Sequence, residues 1–291
     1  MKKSVFFIDG FLMKIIAFIL MTLDHIGVFL VEMTTNPSAM RVGEIFRLFG
    51  RFAFPLFIVM LIEGIRHTRS FPKYALRLGI VATIVMIAQI VIYHFFDNSI
   101  SAAYSPLMDL LCYGTFLYLI SRKDKWSILA IIPFALIVLS FVTMVMEEHG
   151  TNVLWFPFYL RCGYSLFGFI MAILMYFSYP LLKRFFVENN MDVKDFENEK
   201  SFRIAMNIAY SFAVFAAVII IYLIAKFANS DLYGINVPVY SETWALVSIL
   251  IIMLYSGKRG YNAKWFQYAS YLYFPLHLVI IYAVFYLINL L

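Results

Sequence analysis

The sequence predicts an all-α, polytopic integral membrane protein, and three observations support this prediction. First, 63% of the 291 residues are hydrophobic and only 14% are charged, whereas soluble globular proteins are about 45–50% apolar and about 25% charged. Second, apolar runs long enough to cross a bilayer as helices recur along the chain. Third, Lys and Arg cluster before the first run and after every second run. The net charge of +6 therefore indicates membrane topology and contact with anionic lipid rather than nucleic-acid binding.

At about 17–25 apolar residues per crossing, the sequence predicts about nine transmembrane helices in one domain, residues 1–291. The first run is too long and too interrupted by charge for a cleavable signal peptide, so we expect it to be retained. The charged segment 183–203 predicts a cytoplasmic linker between a bundle of helices 1–6 and a bundle of helices 7–9. The predicted helices cover residues 11–31, 48–66, 75–96, 104–121, 127–146, 154–180, 204–228, 241–256 and 270–290.

The distribution of charge predicts the orientation of the chain. Basic clusters follow the even-numbered helices, and most of the other connections are short and acidic or neutral. By the positive-inside rule the N-terminus is cytoplasmic and the C-terminus extracytoplasmic, in a plasma (inner) membrane that the chain crosses several times. The loop 32–47 is the exception, because it carries Arg41 and Arg47 on the outer side. We expect Arg47 and Arg51 to be drawn into the interior instead.

The first span carries three ionisable side chains, Lys14, Asp24 and His25. Such side chains in a membrane helix usually face the protein interior and serve a function. Lys14 and His25 share one stripe of the helix and lie about 16 Å apart along its axis. His25 suits general base catalysis near neutral pH, and a carboxylate can fix the tautomer of such a histidine. Adjacent residues project about 100° apart, so Asp24 serves either His25 or another helix. The stripe is predicted to line a membrane-embedded active site.

Two prolines support a polar interior. Pro55 lies one turn after Arg51, and Pro275 lies shortly before His277. Each proline leaves a backbone carbonyl without its helical donor, which is tolerated at membrane depth where the carbonyl lines a cavity or finds another donor. His277 is therefore a second candidate for a catalytic histidine.

Several other polar residues allow two interpretations. Asp109 and Arg161 are expected at a depth similar to that of His25, where they form either a structural pair or part of the site. A basic cluster after the second helix suits an anion site for a phosphorylated cofactor, although positive-inside topology alone also places basic residues there. That cluster contains Arg66, Arg69, Lys73 and Arg77.

The cysteines and histidines predict neither a disulfide framework nor a metal site. Cys112 and Cys162 lie inside apolar runs, and their spacing matches no metal motif. His25 and His277 have no carboxylate three or four residues away, so we predict no metal.

Four segments of the chain resemble the TraX family. They read IDGFLMKIIAFILMTLDHIG, RLFGRFAFPLFIVMLIEGIRHTRS, YALRL and YLYFPLHL, and the resemblance is specific over residues 8–80 and 271–278. The named member of that family is a conjugal-transfer protein that acetylates pilin. The family is similar to a wider superfamily of transmembrane acyltransferases, which take an acyl group from cytoplasmic acyl-CoA, use a membrane-embedded histidine and deliver to an acceptor across the membrane.

One branch of that superfamily, acyltransferase family three, marks its first helix with Arg, ten residues and then His. Lys14 and His25 have the same spacing, which supports His25 as the catalytic histidine. Lysine lacks the bidentate geometry of arginine, so contact with the cofactor differs in detail. The resemblance implies acetyl-CoA as donor, with its phosphates held at a basic inner mouth by Lys14, Arg66, Arg69 and Arg77.

The implied reaction moves an acyl group, in the first instance acetyl, to an amine or hydroxyl of an extracytoplasmic acceptor, either a pilin-like peptide or a glycan. His25 acts either as general base or as an acyl relay, and Arg51 or a nearby donor stabilises the oxyanion. Asp24 and His277 complete the predicted catalytic set.

Two other classes of function compete with this prediction. A proton-coupled transporter could use Asp24, His25, Asp109 and Arg161 as a relay. Such a transporter is expected to show two repeated halves with discontinuous helices, and the sequence contains no such repeat. A non-enzymatic membrane scaffold would leave the charged stripe of the first span unexplained.

Overall fold

The computed structural model describes residues 6–95, 105–189, 200–231 and 242–290, and these residues form helices and connections without a β-strand. Seven helical segments of this part of the chain are long and apolar enough to cross a membrane, and two further apolar helices are shorter. The all-α polytopic prediction is therefore confirmed, while the orientation stays a prediction. The helices are α1 (Gly10–Met33), α2 (Pro37–Gly50), α3 (Ala53–His67), α4 (Phe71–Phe95), α5 (Pro106–Ser121), α6 (Ile131–Glu148), α7 (Ser165–Glu188), α8 (Lys200–Phe227), α9 (Ser248–Met253) and α10 (Lys264–Leu290).

The expected loop 32–47 is wrong, because most of it is helix α2. The side chain of Asn36 accepts a hydrogen bond from the Ser38 amide at 2.9 Å, and Pro37 follows in the first turn, where proline costs little. Helix α2 then packs closely against α1 through glycines. A Cβ atom on Gly27 would lie 2.5 Å from the carbonyl oxygen of Gly43, so only glycine permits this approach.

A turn at Arg51 and Phe52 separates helix α2 from helix α3. Pro55 lies in the first turn of α3 and cannot donate to the Arg51 carbonyl, as its position predicts. Helix α3 is central to the bundle, because ten of its fifteen residues are buried and it contacts α1, α5, α7 and α9. This turn thus places Arg51 at the edge of the most tightly packed helix.

Helices α7 and α8 extend into the predicted linker 183–203 from its two ends. Residues 183–188 belong to α7, and residues 200–203 belong to α8. Residues 190–199, the centre of the predicted linker, lie outside the described residues. The division of the helices into two bundles stays a prediction.

The start of α1, the ends of α3 and α9 and the loop before α10 meet at one end of the bundle, which we call the basic end. The Gly10 amide donates to the Lys258 carbonyl at 2.7 Å, and Ile8 forms an isolated parallel bridge with Tyr255. Glu63 of α3 lies 4.0 Å from Arg203 of α8. The positive-inside rule predicts that this end is cytoplasmic.

Candidate active site

A cavity of about 370 Å³ lies away from the basic end, among α1, the α2–α3 turn, α4, α5, α10 and the 3₁₀ turn Glu242–Val247 that precedes α9. We call it the chamber. Its apolar lining includes Phe54, Phe57, Leu107, Leu110, Phe274 and Leu278. Its polar lining, which we call the polar wall, contains Asp24, His25, Arg47, Arg51, Tyr164, Glu242 and His277. All four of the residues predicted to be catalytic, Asp24, His25, Arg51 and His277, line this chamber.

The two histidines of the chamber contact each other directly. His277 Nε2 lies 3.2 Å from His25 Nδ1, and the rings meet edge to face with centroids 4.9 Å apart. His277 is buried, and its ring stacks on Tyr273 with centroids 5.1 Å apart and planes within 4°. The Tyr273 hydroxyl in turn contacts the hydroxyl of Thr22 on α1. Helices α1 and α10 therefore hold both rings in a fixed relative position.

The hydrogen bonds of the pair determine which ring nitrogens carry protons. His277 Nδ1 lies 2.8 Å from the Tyr273 carbonyl oxygen, so it must donate, and its Nε2 keeps a lone pair. His25 Nδ1 lies 2.9 Å from the Met21 carbonyl oxygen, so it too is the donor nitrogen and can share its proton with His277 Nε2. The remaining nitrogen, His25 Nε2, then carries a lone pair. Such a nitrogen can accept a proton from a substrate.

Arg51 is at the centre of the polar wall. Its Nη1 forms an ion pair with Glu242 Oε1 at 2.8 Å, and the two side chains are only 13% and 8% exposed. The hydroxyl of Tyr164 is within hydrogen-bonding reach of the same guanidinium. Within the described residues, Arg51 Nε and Glu242 Oε2 have no hydrogen-bond partner. Buried polar atoms are normally satisfied, so these two atoms mark a place where a polar ligand group can bind.

Asp24 faces α2 rather than the ring of His25. A Cβ atom on Gly50 would lie 2.2 Å from Asp24 Cβ and 2.3 Å from its Oδ1. The described contacts of His25 are with Met21 and His277. Asp24 Oδ1 is buried and has no hydrogen-bond partner among the described residues. The sequence left open whether Asp24 serves His25 or another helix. The geometry favours the second role, with α2 as the other helix.

The four basic residues expected at one mouth divide into two groups. Arg66 and Arg69 line a second cavity, of about 590 Å³, at the basic end among α3, α5 and α7. Lys14 lies 5.5 Å from the ring centre of Phe266 at the start of α10, and Arg77 hydrogen-bonds the Tyr271 hydroxyl farther along α10. Neither Lys14 nor Arg77 lines the second cavity.

The cavity at the basic end combines cations with aromatic rings. The Arg66 guanidinium lies 3.7 Å from the ring centre of Tyr179, and its Nη1 donates to Glu63 Oε1 at 3.0 Å. Phe71 and Tyr118 stack at 4.7 Å between centroids on another part of the lining. Guanidinium groups bind phosphate, and flat aromatic rings can stack on a base. This lining suits a nucleotide.

Asp109 and Arg161 do not form the pair considered from the sequence. Asp109 accepts hydrogen bonds from the amides of Gly163, Tyr164 and Ser165. Arg161 donates to the carbonyls of Phe156 and Val153 and pairs with Glu147. Both side chains are buried, but neither lines the chamber.

Sequence reasoning missed two residues of the polar wall. Glu242 was not predicted to line the site, yet it is buried and paired with Arg51; the only signal was its place just before an apolar run. Tyr164 was not predicted, and its ring stacks on Phe54 at 3.5 Å between centroids. Nothing in the sequence near Tyr164 marks it, because its place depends on contacts between distant helices.

Comparison with known proteins gives one match. A family model described as TraX protein matches residues 9–163, which is more than half of the chain. That range includes His25, Arg51 and Asp109, while Glu242 and His277 lie beyond it. No curated protein and no solved structure matches the chain.

Proposed function

The chain belongs to the TraX family, and on this premise we propose that it is a membrane-embedded acetyltransferase. Its donor is cytoplasmic acetyl-CoA, and its acceptor is an amine or hydroxyl of a pilin-like peptide or glycan beyond a plasma (inner) membrane. Family membership suggests a role in pilin acetylation, and the apolar helices suggest a multi-pass membrane protein. The observation that carries the proposal is the histidine pair of the chamber. It lies next to a buried arginine and two carboxylates that each keep an atom without a partner among the described residues.

His25 acts as the general base. Its Nε2 lone pair removes the proton from the attacking amine or hydroxyl as that atom adds to the thioester carbonyl. His277 accepts the Nδ1 proton of His25 as a hydrogen bond at 3.2 Å, which fixes the ring and its tautomer. This role resembles that of the carboxylate in a catalytic triad, with a neutral imidazole in place of the carboxylate.

The polar wall is the proposed binding site for the thioester carbonyl and for the acceptor. Arg51 is held by Glu242 and Tyr164, so its guanidinium is oriented before the reaction and can stabilise the oxyanion that forms at the carbonyl. Asp24 Oδ1 and Glu242 Oε2, which have no partner in the described part of the chain, can accept hydrogen bonds, which suits a substrate that presents N–H or O–H groups. Collapse of the oxyanion breaks the C–S bond and leaves the acetylated acceptor; the protonated His25 returns its proton to the departing thiolate, so CoA leaves as the thiol.

The cavity at the basic end is the proposed site for the nucleotide portion of the donor. Arg66 and Arg69 can bind its phosphates, and the aromatic rings can contact its base. From Arg66 to Arg51 the chain of α3 spans fifteen residues, or about 22 Å of helix. The extended pantetheine arm of CoA would have to cover this distance to present the thioester. Lys14 and Arg77, which were expected at the same mouth, lie against α10 outside this cavity.

The contacts of Asp109 and Arg161 argue against the alternative transporter. Asp109 is held by the amides of residues 163–165 and the Tyr113 hydroxyl. Arg161 is held by the carbonyls of Phe156 and Val153 and by Glu147. Neither Asp109 nor Arg161 lines the chamber. These contacts support the acetyltransferase over a proton-coupled transporter.

The test measures acetyl-CoA turnover by the purified protein in nanodiscs, with a short peptide amine as acceptor. We expect His25→Ala to lower kcat by about 10²–10⁴-fold, the usual contribution of a general base. His149→Ala is the matched control, because His149 makes the same Nδ1 contact with a carbonyl four residues earlier but is exposed. Equal turnover by His25→Ala and the wild type would contradict the proposal. Acetyl label that accumulates on the wild-type protein without acceptor, moves to the acceptor when it is added and is absent from His25→Ala would identify a relay through His25; no such label would favour direct transfer.

A further inference from the structure

The loop that precedes α7 converges on one carboxylate. Asp109 Oδ2 accepts from the Gly163 amide at 2.8 Å, and Oδ1 accepts from the amides of Tyr164 at 3.1 Å and Ser165 at 2.9 Å. The hydroxyl of Tyr113 lies 2.7 Å from the same Oδ1. Asp109 is fully buried at 0% exposure. We call this group of five residues the α5–α7 joint.

The joint replaces a missing cap and supports a strained residue. Helix α7 has no side-chain N-cap of its own, so its first amides require another acceptor. Asp109 of α5 supplies one, and its charge suits the positive end of the α7 dipole. Ser165 has φ +32°, a backbone conformation that costs free energy in a residue other than glycine. Contacts from α5 are therefore needed to keep this turn in shape.

The turn controls the position of Tyr164. The ring of Tyr164 lies flat on Phe54, with centroids 3.5 Å apart and planes within 9°. Its hydroxyl reaches the guanidinium of Arg51, and Arg51 pairs with Glu242 at 2.8 Å. Tyr164 lines the chamber, whereas Asp109 does not. A continuous set of contacts thus leads from Asp109, outside the chamber, to Arg51 inside it.

We propose that Asp109 is a positioning residue, which sets Tyr164 through the α5–α7 joint and thereby orients Arg51 toward the reacting carbonyl. The proposal deepens the proposed function and rests on it. It assigns Asp109 no contact with substrate. Three amides and a hydroxyl satisfy the Asp109 carboxylate, which has no ion pair with a described residue.

The chain offers a matched control on the same loop. Ser140 is also fully buried, and its Oγ accepts from the amide of Cys162 at 2.9 Å. This amide lies one residue before the joint. Ser140→Ala therefore removes the same kind of bond from the same loop without touching Tyr164.

The experiment is a double-mutant cycle on acetyl-CoA turnover in nanodiscs. We expect Asp109→Asn to lower kcat on the order of 10²-fold, the effect of misplacing a reacting group by about 1 Å, with the KM for acetyl-CoA unchanged within about twofold. The Tyr164→Phe variant already lacks the hydrogen bond to Arg51. In this background Asp109→Asn should lower kcat by less than about threefold, because Tyr164 no longer connects the joint to Arg51. Ser140→Ala should retain wild-type kcat. Additive effects of Asp109→Asn and Tyr164→Phe, or equal losses in Asp109→Asn and Ser140→Ala, would overturn the proposal.

Hydrogen exchange separates this proposal from the proposed function. Asp109→Asn should speed exchange at the amides of 163–165 and also at Arg51 and Phe52, whereas Ser140→Ala should change neither group. Faster exchange confined to 163–165 would overturn the positioning role even in an active enzyme. If the wild type shows no acetyl-CoA turnover, the proposed function fails, and the exchange at Arg51 still decides whether Asp109 positions it.

Discussion

Arg51 and Arg161 are both largely buried arginines, yet their surroundings differ. Arg161 donates its Nε to the Phe156 carbonyl at 2.8 Å and its Nη2 to the Val153 carbonyl at 3.0 Å, and it pairs with Glu147. Arg51 pairs with Glu242 at 2.8 Å, but its Nε has no partner among the described residues. The Arg161 guanidinium therefore stabilises a loop. The Arg51 guanidinium is oriented by Glu242 and can still donate a hydrogen bond to a bound ligand.

The same contrast applies to the carboxylates. Asp109 is satisfied by backbone amides, while Asp24 and Glu242 each keep an oxygen without a partner within the described residues. Leaving a buried polar group unsatisfied costs about 1–3 kcal/mol. Asp24, Glu242 and Arg51 each contribute such a group to one chamber, and this requires an explanation. Under the proposed function, substrate groups that enter the chamber would complete these hydrogen bonds. The buried charges that line the chamber thus differ from Asp109 and Arg161, whose hydrogen bonds are made within the protein.

The largest expected effect is on Arg51. Arg51→Met removes the cation that stabilises the oxyanion, and we expect kcat for acetyl transfer to fall about 10²–10³-fold. Arg51→Lys keeps the charge but loses the planar geometry that Glu242 and Tyr164 orient, so it should recover only part of the activity. The measurement is steady-state turnover in nanodiscs, normalised to folded protein. Full activity of Arg51→Met would remove the distinction between the two arginines.

An intermediate effect is expected from Gly50→Ala. The added Cβ would lie 2.2 Å from Asp24 Cβ, so α1 and α2 must separate, at a cost of about 1–3 kcal/mol in unfolding free energy. Turnover should fall as well, because Asp24 moves within the chamber. Gly79→Ala is the control, since its nearest neighbour would be Leu111 Cδ2 at 3.8 Å. Thermal unfolding and acetyl-CoA turnover are measured for both variants. Equal stability and equal turnover of Gly50→Ala and Gly79→Ala would contradict this prediction.

The smallest effect on turnover is expected from Arg161→Met. This change leaves the carbonyls of Val153 and Phe156 without their donor, and unfolding should become easier by about 1–3 kcal/mol for each carbonyl left unsatisfied. The kcat of the folded fraction should stay within about twofold of the wild type, because Arg161 does not line the chamber. Thermal unfolding read beside turnover checks both statements. A loss of kcat as large as that of Arg51→Met would show that the comparison is mistaken.

The sequence predicts the helices well, because lipid requires every backbone group to be satisfied within a helix and long apolar runs follow from that requirement. It missed α2, whose residues Pro37–Gly50 include two arginines and no long apolar run. The signal was present in Asn36 and Pro37, which begin the helix.

The site was predictable only in part. His25 and His277 could be identified because ionisable residues are rare in apolar spans, and both line the chamber. Their mutual contact, the separation of Lys14 from Arg66, and the burial of Glu242 depend on how helices far apart in sequence rotate against one another. Helical periodicity assigns a residue to a face of its own helix but not to a neighbour.

The central claim is that the chamber passes an acetyl group from a donor on the basic side to an acceptor on the other side. Proteoliposomes with the protein in one orientation test it most directly, with labelled acetyl-CoA supplied at the basic end and a peptide amine confined to the opposite compartment. We expect labelled peptide with the wild type and His149→Ala, and at least about 10²-fold less with His25→Ala. Labelled peptide formed equally well by His25→Ala, or no labelled peptide with the wild type, would contradict it.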